Sequence, residues 1–559
     1  MMEQKSSLFD RQLACFLARL SRLAGDQLER FEALVRELSA SLADGHSCQM
    51  VTPGEAELLV RVPHLVSSGP RTPLVLQGPR LYLQRYFCYE QQLASRLLAL
   101  AAKSLEPIAC DALLDLCFPL APDEKISDQR RAAELALGSP LALIAGGPGT
   151  GKTSTVVRIL GLLLAVLEPE LDIALAAPTG KAARRLQESI VAGRQDLPLP
   201  EEIRARIPTE ARTLHRLLGV RRHQVSFRHD QANPLPWDVV VVDESSMVDL
   251  ALMSKLVAAL KPGARLILLG DRDQLSSVES GAVFADCVAA LPARSVELLR
   301  TYRFDRHIHE LSLAVNRGTA EEAWRFLVEG GEGALGILTG SLFAEIGRRL
   351  EPFLRLAMET GPGDGKDLAA LFRQLRSFQV LCAVRQSRCG VTGVNQGVER
   401  YLRAQGYDCP AGGWYAGRPI MIQRNEYRLE LYNGDVGICL PEAGENGGFR
   451  IWFEGRDGQP RSFSPARLPE YETVYGMTVH KSQGSEFDEV LLLLPDQDLP
   501  VLSRELIYTA ITRARQVVQL SGSREIFCAA VGRRAMRMSG LRECLSQSVS
   551  DSPRKRSCR

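Results

Sequence analysis

The sequence lacks the patterns that are typical of secreted and membrane proteins. Its 13 cysteines are odd in number and scattered, and no two of them are spaced as Cys-x-x-Cys. This distribution argues against a disulfide framework and against a conventional zinc site, and it fits a reducing compartment. The N-terminus has no apolar signal segment, and the apolar run at residues 161–167 is far too short to span a bilayer. We therefore expect a cytoplasmic protein that does not enter a membrane.

The chain also lacks a strong excess of one charge. Lysine and arginine number 68 and aspartate and glutamate number 66, so the net charge is +2 over 559 residues. Any site for a polyanion must therefore come from local patches, because there is no general basic field. The length is enough for about three or four domains, each able to bury its own core.

One segment carries the strongest chemical signal in the sequence. Residues 146–153 match the pattern Gly-x-x-x-x-Gly-Lys-Ser/Thr directly after an apolar run at 141–145, which predicts a buried strand. The segment consists of Gly146, Gly147, Pro148, Gly149, Thr150, Gly151, Lys152 and Thr153. Glycines let such a loop turn its N–H groups onto phosphates, the lysine supplies positive charge to the β- and γ-phosphates, and the threonine hydroxyl can ligate Mg²⁺. The segment therefore predicts a nucleoside-triphosphate site at the start of a helix.

Two later apolar runs also end in polar loops. The run at 239–242 is followed by Asp243 and Glu244, and the run at 266–269 is followed by a loop that contains Gln274. Asp243 is predicted to hold Mg²⁺ together with Thr153, and Glu244 to orient or deprotonate the attacking water. An acidic helix cap is the alternative for an isolated Asp-Glu pair. Gln274 could sense the γ-phosphate, because its amide can both donate and accept hydrogen bonds.

Short apolar strands alternate with helical patterns in two blocks of the chain. The first block runs from about 125 to 300, and the second begins at 380–384 and returns at 490–494. This alternation of strands and helices predicts an α/β fold with parallel sheets that are covered by helices, and with ligands bound at the carboxyl ends of the strands. Between the two parts of the second block, residues 410–475 are rich in glycine and β-forming residues, which predicts a small β-rich insertion. Residues 1–120 show helical periodicity and no visible chemistry.

The order of the motifs resembles that of superfamily-1 helicases. Beyond the segments already described, the resemblance is carried by residues 177–183, 299–304, 477–487 and 508–515. It implies that two motor domains clamp ATP, with Arg303 and Arg513 reaching the γ-phosphate from the second domain, where a planar guanidinium suits a spreading negative charge. A surface arginine is the alternative for each. The resemblance also implies that Gln129 reads the adenine and that Glu486 contacts the nucleotide.

Contacts with DNA are predicted from donors that follow the sheet strands. The candidates are Thr179, Lys181, His215, Thr478, His480 and Lys481. Hydroxyl, ammonium and imidazole groups at the ligand-binding edge of a sheet can meet the phosphates or stack on the bases of a single strand. For each of them, a structural cap or a salt bridge is the alternative.

Segments outside the motor motifs resemble the RecD family, the alpha subunit of exodeoxyribonuclease V. They are residues 45–48, 80–90, 212–219, 384–395 and 433–437. The resemblance implies a 5′→3′ motor at double-stranded DNA ends, working with RecB-like and RecC-like subunits in recombination repair. Apart from the ATP site, the sequence shows no acidic cluster for a nuclease, so we expect the chain itself to cut nothing. A stand-alone RecD-like helicase and a regulatory ATPase that does not translocate are the alternatives.

The sequence patterns and the resemblance together predict the following division of the chain. It consists of a helical, partner-docking N-terminal domain (1–120), a first RecA-like motor domain with the phosphate loop (121–300), a second RecA-like motor domain in two parts (301–409 and 476–545), an SH3-like β-rich insertion (410–475) and a disordered tail (546–559).

Overall fold

The fold is taken from a computed structural model, which describes residues 7–106, 109–119, 127–167, 171–221, 224, 226–277, 279–301, 305–360, 365–426, 428–442, 448–455 and 459–550. Among these residues, no helix combines the length and the apolar character needed to cross a bilayer.

The N-terminal region combines helices with a small sheet. Its elements are α1 (Leu8–Ser21), α2 (Asp26–Ala43), β1 (Gln49–Met50), α3 (Pro53–Val60), β2 (Val66–Ser67), β3 (Leu74–Gln77), β4 (Arg80–Leu83), α4 (Gln84–Ala101) and α5 (Asp111–Cys117). Helix α1 begins at a capping box in which Ser7 and Asp10 satisfy each other's backbone N–H groups. The helices agree with the predicted periodicity, but the sheet, in the order β1–β4–β3–β2, was not predicted. Its strands have only two to four residues, too few to show an alternating pattern.

The first large sheet follows, with the order β10–β5–β9–β8–β6–β7. Its strands and helices are α6 (Asp128–Gly138), β5 (Leu141–Gly146), α7 (Lys152–Val166), β6 (Ile173–Ala177), α8 (Gly180–Gln195), α9 (Glu201–Arg206), β7 (Ala211–Thr213), α10 (Leu214–Leu218), β8 (Val239–Val242), α11 (Leu250–Ala259), β9 (Arg265–Gly270), α12 (Val283–Ala290) and β10 (Ser295–Leu298). All its neighbouring strands are parallel. Hydrophobic cores lie on both faces of this sheet. Side chains of β5 alternate between them, so Leu143 packs in one core and Ile144 in the other. Both faces are therefore covered, as predicted for an α/β fold.

The second large sheet is also parallel, with the order β11–β20–β19–β12–β18. Its region contains α13 (Arg306–Arg317), α14 (Ala320–Glu329), β11 (Leu335–Ile337), α15 (Leu342–Glu359), α16 (Gly365–Ser377), β12 (Phe378–Cys382), α17 (Val391–Ala404), β18 (Gly476–Thr478), β19 (Phe487–Leu493), α18 (Arg504–Ile511), β20 (Ala514–Ser521) and α19 (Arg524–Gly532). We call the parts of the chain around the first and second large sheets the first and second motor domains. The limits of these domains stay predictions.

An antiparallel sheet lies between α17 and β18, within the segment predicted to be β-rich. Its strands are β13 (Pro419–Ile422), β14 (Val436–Pro441), β15 (Phe449–Phe453), β16 (Arg461–Phe463) and β17 (Tyr471–Thr473). They pair in the order β16–β15–β14–β13–β17. The SH3-like character of this insertion stays a prediction.

The end of the chain departs from the predicted division. After α19, residues 533–540, which we call the C-terminal strap, lead to α20 (Leu541–Ser550), and this helix packs against α4 and α12. Leu541 and Leu545 are fully buried in the core of the first motor domain. Residues 541–545, which were predicted to belong to the second motor domain, thus lie in a helix that packs against the first. The helix also extends through 546–550, which were assigned to a disordered tail. Burial of one apolar face stabilises a helix that its polar composition alone did not indicate.

The C-terminal strap is held by polar contacts on both of its sides. The guanidinium of Arg537 donates to the backbone carbonyls of Ser277, Glu279 and Gly281, the last two at 2.5 and 3.2 Å. Glu90, only 1% exposed, accepts from the Ser47 hydroxyl (2.5 Å) and from the Gly540 backbone N–H (3.1 Å). The end of the chain is therefore tied both to the first motor domain and to the N-terminal region.

Candidate functional site

The phosphate-loop segment connects β5 to α7, as predicted. Gly149 and Gly151 have φ angles of 78° and 79°, in the left-handed region that glycine adopts without strain. Gly146 is also required, since a Cβ there would lie 2.6 Å from the Thr150 hydroxyl oxygen. The Lys152 ammonium donates to the carbonyls of Gly146 (2.6 Å) and Gly147 (2.9 Å). The backbone of the loop therefore surrounds the Lys152 ammonium at the N-terminus of α7, and this arrangement suits the binding of phosphates.

Asp243 and Glu244 follow β8, beside this loop. Glu244 has a φ of 51°, and its backbone N–H donates to the Asp243 Oδ1 at 2.8 Å. Burial raises the pKa of Asp243 to about 6, and the neighbouring Glu244 adds to the rise while the Lys152 ammonium opposes it. A carboxylate whose charge is this costly is a natural ligand for a cation.

A cavity of about 290 Å³ brings most of the predicted nucleotide residues together. From the first motor domain it is lined by Pro148, Gly149, Gly151, Lys152, Thr153, Asp243, Glu244 and Gln274, and from the second by Glu486 and Arg513. We call it the nucleotide cavity. Both motor domains therefore contribute charged groups to the same space.

The donor set of the nucleotide cavity fits a nucleoside triphosphate with a hard divalent cation. The Thr153 hydroxyl and the Asp243 carboxylate are oxygen ligands of the kind that Mg²⁺ prefers. Within the described part of the chain, no group of three His, Cys, Asp or Glu side chains could hold a metal alone. A cation here would therefore be completed by phosphate oxygens and water, as is usual for Mg²⁺ with nucleotides.

Gln274 is almost fully buried, and one end of its amide is already engaged. Its Nε2 donates to the Asp271 Oδ2 at 3.1 Å, while its Oε1 is buried and has no hydrogen-bond partner among the described residues. Asp271 was quoted in a motif but was not assigned a role from the sequence. Burial raises the pKa of its carboxyl to about 6, and the Lys152 ammonium opposes this rise.

Arg513 lies at the wall of the nucleotide cavity and is 2% exposed. Its Nε and Nη1 donate to the carbonyls of Thr509 (3.1 Å) and Ser485 (3.3 Å), and its buried Nη2 has no partner among the described residues. Burial lowers its pKa. A guanidinium with a buried free donor at a cavity wall can receive an anion. The second predicted arginine, Arg303, lies outside the described residues.

Glu486 forms an ion pair that crosses between the motor domains. Its carboxylate contacts Arg185 of α8 and also Arg515, the latter at 3.1 Å. Arg185 lines the nucleotide cavity too, although it was not singled out from the sequence. Arg185 lies four residues after Lys181 and therefore on the same face of α8, and this spacing could have identified it as a site residue from the sequence.

Gln129 is not among the described residues that line the nucleotide cavity. It is the second residue of α6, whose N-cap is Ser127, and the neighbouring Asp128 accepts from the Leu299 backbone N–H at 3.4 Å. Its predicted contact with the adenine stays a prediction.

Of the two predicted DNA-contacting threonines, Thr179 caps α8 just after β6, and Thr478 is the last residue of β18 and caps the turn that follows. The Thr179 hydroxyl accepts from the Ala182 N–H (3.2 Å) at the start of α8, and the Thr478 hydroxyl accepts from the Lys481 N–H (3.3 Å) after β18. The Lys481 ammonium contacts the side chains of Gln423 and Glu472. The capping contacts and the salt bridge that were the alternatives to DNA binding are therefore present at these positions. Each threonine hydroxyl uses one lone pair in its cap, and the second lone pair is left for another donor.

The remaining DNA candidates differ in exposure, because the His215 side chain is exposed whereas Lys181 and His480 are half-buried. Lys181 lines a second cavity of about 480 Å³ between α8, the insertion and the second motor domain, and burial lowers its pKa to about 8. Burial also lowers the pKa values of His215 and His480. The His215 ring packs edge-on against Phe227, with centroids 5.8 Å apart. Their roles in DNA binding stay predictions.

Two family models match the chain, in the regions of the two large sheets. An AAA domain matches residues 129–280, and a UvrD-like helicase C-terminal domain matches residues 473–520. Among solved structures, that of Pif1 helicase from Bacteroides in complex with ADP-AlF3 and ssDNA is similar, at 16% identity and a TM-score of 0.39 over 73% of this chain and 93% of that one.

Two curated relatives cover most of this chain. The ATP-dependent RecD2 DNA helicase of Deinococcus radiodurans is 31% identical over 85% of this chain, which spans 60% of that protein. The RecBCD enzyme subunit RecD of Mycolicibacterium smegmatis is 42% identical over 85% of this chain and 84% of that protein. With this identity over nearly the full length of both proteins, the chain belongs to the RecD family of helicase subunits.

Proposed function

We propose that the chain is an ATP-dependent 5′→3′ DNA helicase that works as the RecD-type subunit of a RecBCD-type exodeoxyribonuclease V on double-stranded DNA ends. The observation that carries this proposal is the nucleotide cavity, to which both motor domains contribute charged side chains. A nucleotide bound between two domains favours their closed arrangement, and its hydrolysis releases them. Repeated closing and opening is the mechanical step of translocation on a single strand.

In the first motor domain, we assign binding and hydrolysis to four side chains. Lys152 would contact the β- and γ-phosphates, and Thr153 and Asp243 would hold Mg²⁺, which when bound would supply positive charge beside the phosphates. Glu244 orients the attacking water and accepts its proton. Its position next to Asp243 supports this role, because the cation and the water must lie within a few ångströms of each other.

In the second motor domain, we assign transition-state stabilisation to arginines. Arg513 has a buried guanidinium nitrogen without a partner among the described residues, at the cavity wall. We propose Arg303 as the second such arginine on the resemblance alone. Glu486 holds Arg185 across the domain interface, so a bound triphosphate would compete with this carboxylate for the guanidinium.

We propose single-stranded DNA as the track, contacted by residues that follow strands of both large sheets. Thr179 and Lys181 come after β6, Thr478 is the last residue of β18, and Lys481 follows that strand. Ligands of parallel sheets bind at such carboxyl ends. A nearby phosphate would raise the pKa of Lys181 again and keep it charged.

We propose RecB-like and RecC-like subunits as partners, since the M. smegmatis relative is named as a subunit of a RecBCD enzyme. The N-terminal region would dock onto the RecC-like subunit. The described cysteines are all free thiols, which supports work in the reducing cytoplasm.

The test compares wild type with Lys152→Ala. ATP hydrolysis is measured with and without single-stranded DNA, and unwinding is measured on partial duplexes with either a 5′ or a 3′ overhang. We expect DNA-stimulated hydrolysis and unwinding of the 5′-overhang substrate only, with hydrolysis reduced at least about a hundredfold in the variant. Lys103→Ala is the matched control, because it removes an exposed ammonium outside the cavity.

Other outcomes would favour the alternatives. Hydrolysis that is indifferent to DNA and gives no unwinding, alone or with the partner subunits, would contradict the motor and indicate a regulatory ATPase. Processive unwinding by the isolated chain, with no binding to RecB-like and RecC-like subunits, would indicate a stand-alone helicase.

A further inference from the structure

The loop at residues 271–275 belongs to the first motor domain by sequence, but its end is held by the second. The Leu275 side chain packs in the hydrophobic core of the second motor domain. Its backbone N–H donates to the Thr509 hydroxyl at 2.9 Å, and its carbonyl accepts from the Gln483 side-chain amide at 2.7 Å. The position of this loop therefore depends on where the second motor domain lies.

The same loop carries a buried carboxylate that joins the two domains. Asp271, 3% exposed, accepts at its Oδ2 from the Tyr508 hydroxyl (3.0 Å) and from the Gln274 Nε2 (3.1 Å). Its Oδ1 accepts from the Asp273 backbone N–H at 3.0 Å. Tyr508 lies on α18 of the second motor domain, so one oxygen atom links a hydroxyl of that domain to the Gln274 amide.

This link sets which end of the Gln274 amide faces the nucleotide. An amide nitrogen that donates to Asp271 turns the carbonyl oxygen to the other side, and a carbonyl can accept from water but cannot donate to a phosphate oxygen. The Oε1 is buried without a described partner in a side chain that lines the nucleotide cavity. Gln274 is therefore arranged to accept from the attacking water.

The Tyr508 hydroxyl also lies against the phosphate loop. A Cβ built on Gly147 would be 2.9 Å from this hydroxyl oxygen, so the close approach requires glycine at that position. One phenol group thus contacts the loop that cradles the phosphates and the carboxylate that orients Gln274.

We propose that Tyr508 is a positioning residue for ATP hydrolysis. By donating to Asp271, it holds the Gln274 carbonyl toward the attacking water, and it does so only when the second motor domain is in place. This assignment rests on the proposed function, since it supposes that the nucleotide cavity hydrolyses ATP. Tyr508 is not among the described residues that line the nucleotide cavity, so it acts through Asp271 and Gln274.

The test is a double-mutant cycle with Tyr508→Phe and Gln274→Ala, read as kcat and KM for ATP in the presence of single-stranded DNA. Tyr508→Phe keeps the ring and removes the hydroxyl, so we expect kcat to fall about tenfold, with KM for ATP within about twofold of wild type. In the Gln274→Ala background, the same substitution should leave kcat within about twofold, because its effect passes through the missing amide.

The control is Tyr415→Phe, which removes another buried hydroxyl, one that lies just before β13 and donates to Glu399 at 3.0 Å. It should leave kcat unchanged. If Tyr508→Phe fails to fold, Asp271→Asn serves as the second variant, since its amide nitrogen cannot accept from Tyr508, and it should show the same non-additivity.

Two results would overturn the assignment while leaving the proposed function intact. They are an unchanged kcat in Tyr508→Phe, and an equal loss of kcat in the wild-type and Gln274→Ala backgrounds. A wild-type chain that hydrolyses no ATP, alone or with partner subunits, is a separate result. It would refute the proposed function and this assignment with it.

Discussion

Asp286 lies where a negative charge is costly, on α12 at its contact with the C-terminal helix α20. Burial raises the pKa of its carboxyl to about 7, and the charges of Glu90 and Glu543 add to the rise. The Ser539 hydroxyl and Arg542 act in the opposite direction. Substituting Asp286→Asn keeps the shape of the side chain and removes its ionisation.

The sign of the effect follows from the proton count. The folded carboxyl has the higher pKa, so between the unfolded value of 3.8 and the folded value of about 7 the unfolded chain has lost the proton that the folded chain retains. Stability therefore falls as the pH rises through this window and levels off above it. From pH 5 to pH 8 we expect Asp286 to cost about 2 kcal/mol, allowing for its partial exposure, or about a thirtyfold change in an opening equilibrium.

Hydrogen exchange of the α20 amides measures this directly, because α20 depends on its contact with α12. After correction for the intrinsic pH dependence of exchange, α20 of wild type should open more readily at pH 8 than at pH 5. Asp286→Asn should lose the part of this difference that Asp286 contributes and keep the part that comes from Glu90, whose pKa burial also raises. Glu57→Gln, which removes an exposed carboxylate on α3, should behave like wild type. An Asp286→Asn protein that keeps the full pH dependence would refute the reasoning.

Two further predictions concern contacts between distant segments. Glu486→Gln removes the anion that Arg185 and Arg515 share, so the nucleotide-free protein should lose about 1–2 kcal/mol of stability in thermal unfolding. Adding Arg185→Gln to this variant should recover part of the lost stability. A double variant that is less stable than Glu486→Gln alone would contradict this prediction. Leu541→Ala empties a fully buried site and should cost about 2–5 kcal/mol, detected as faster proteolysis within α20; cleavage at the wild-type rate would show that α20 is not held by this contact.

The N-terminal region shows where sequence patterns were too weak. Its helices were predicted because α2 repeats apolar residues at helical spacing, and Phe31, Val35 and Leu38 are indeed buried. The small sheet was missed, because strands of two to four residues do not establish an alternating pattern. The C-terminal helix was missed for a related reason: its polar face dominates the composition, and the surface that buries its leucines comes from distant parts of the chain.

The sequence by itself determined the features that depend on neighbours along the chain. They are the glycine spacing of the phosphate loop, the buried parallel strands, and the placement of Asp243 and Gln274 in loops after those strands. Such features are local because backbone conformation and hydrophobic periodicity act over a few residues. They place Lys152, Thr153, Asp243, Glu244 and Gln274 of the first motor domain at one cavity.

Only the tertiary structure decided how the two motor domains meet at that cavity. Tyr508 donates to Asp271 across 237 positions of the chain, and Arg185 pairs with Glu486 across 301. No periodicity spans such separations, because these contacts depend on how whole sheets and helices pack against each other. Asp271, which accepts from the Gln274 amide within the same loop, thus also accepts from a hydroxyl of the other domain.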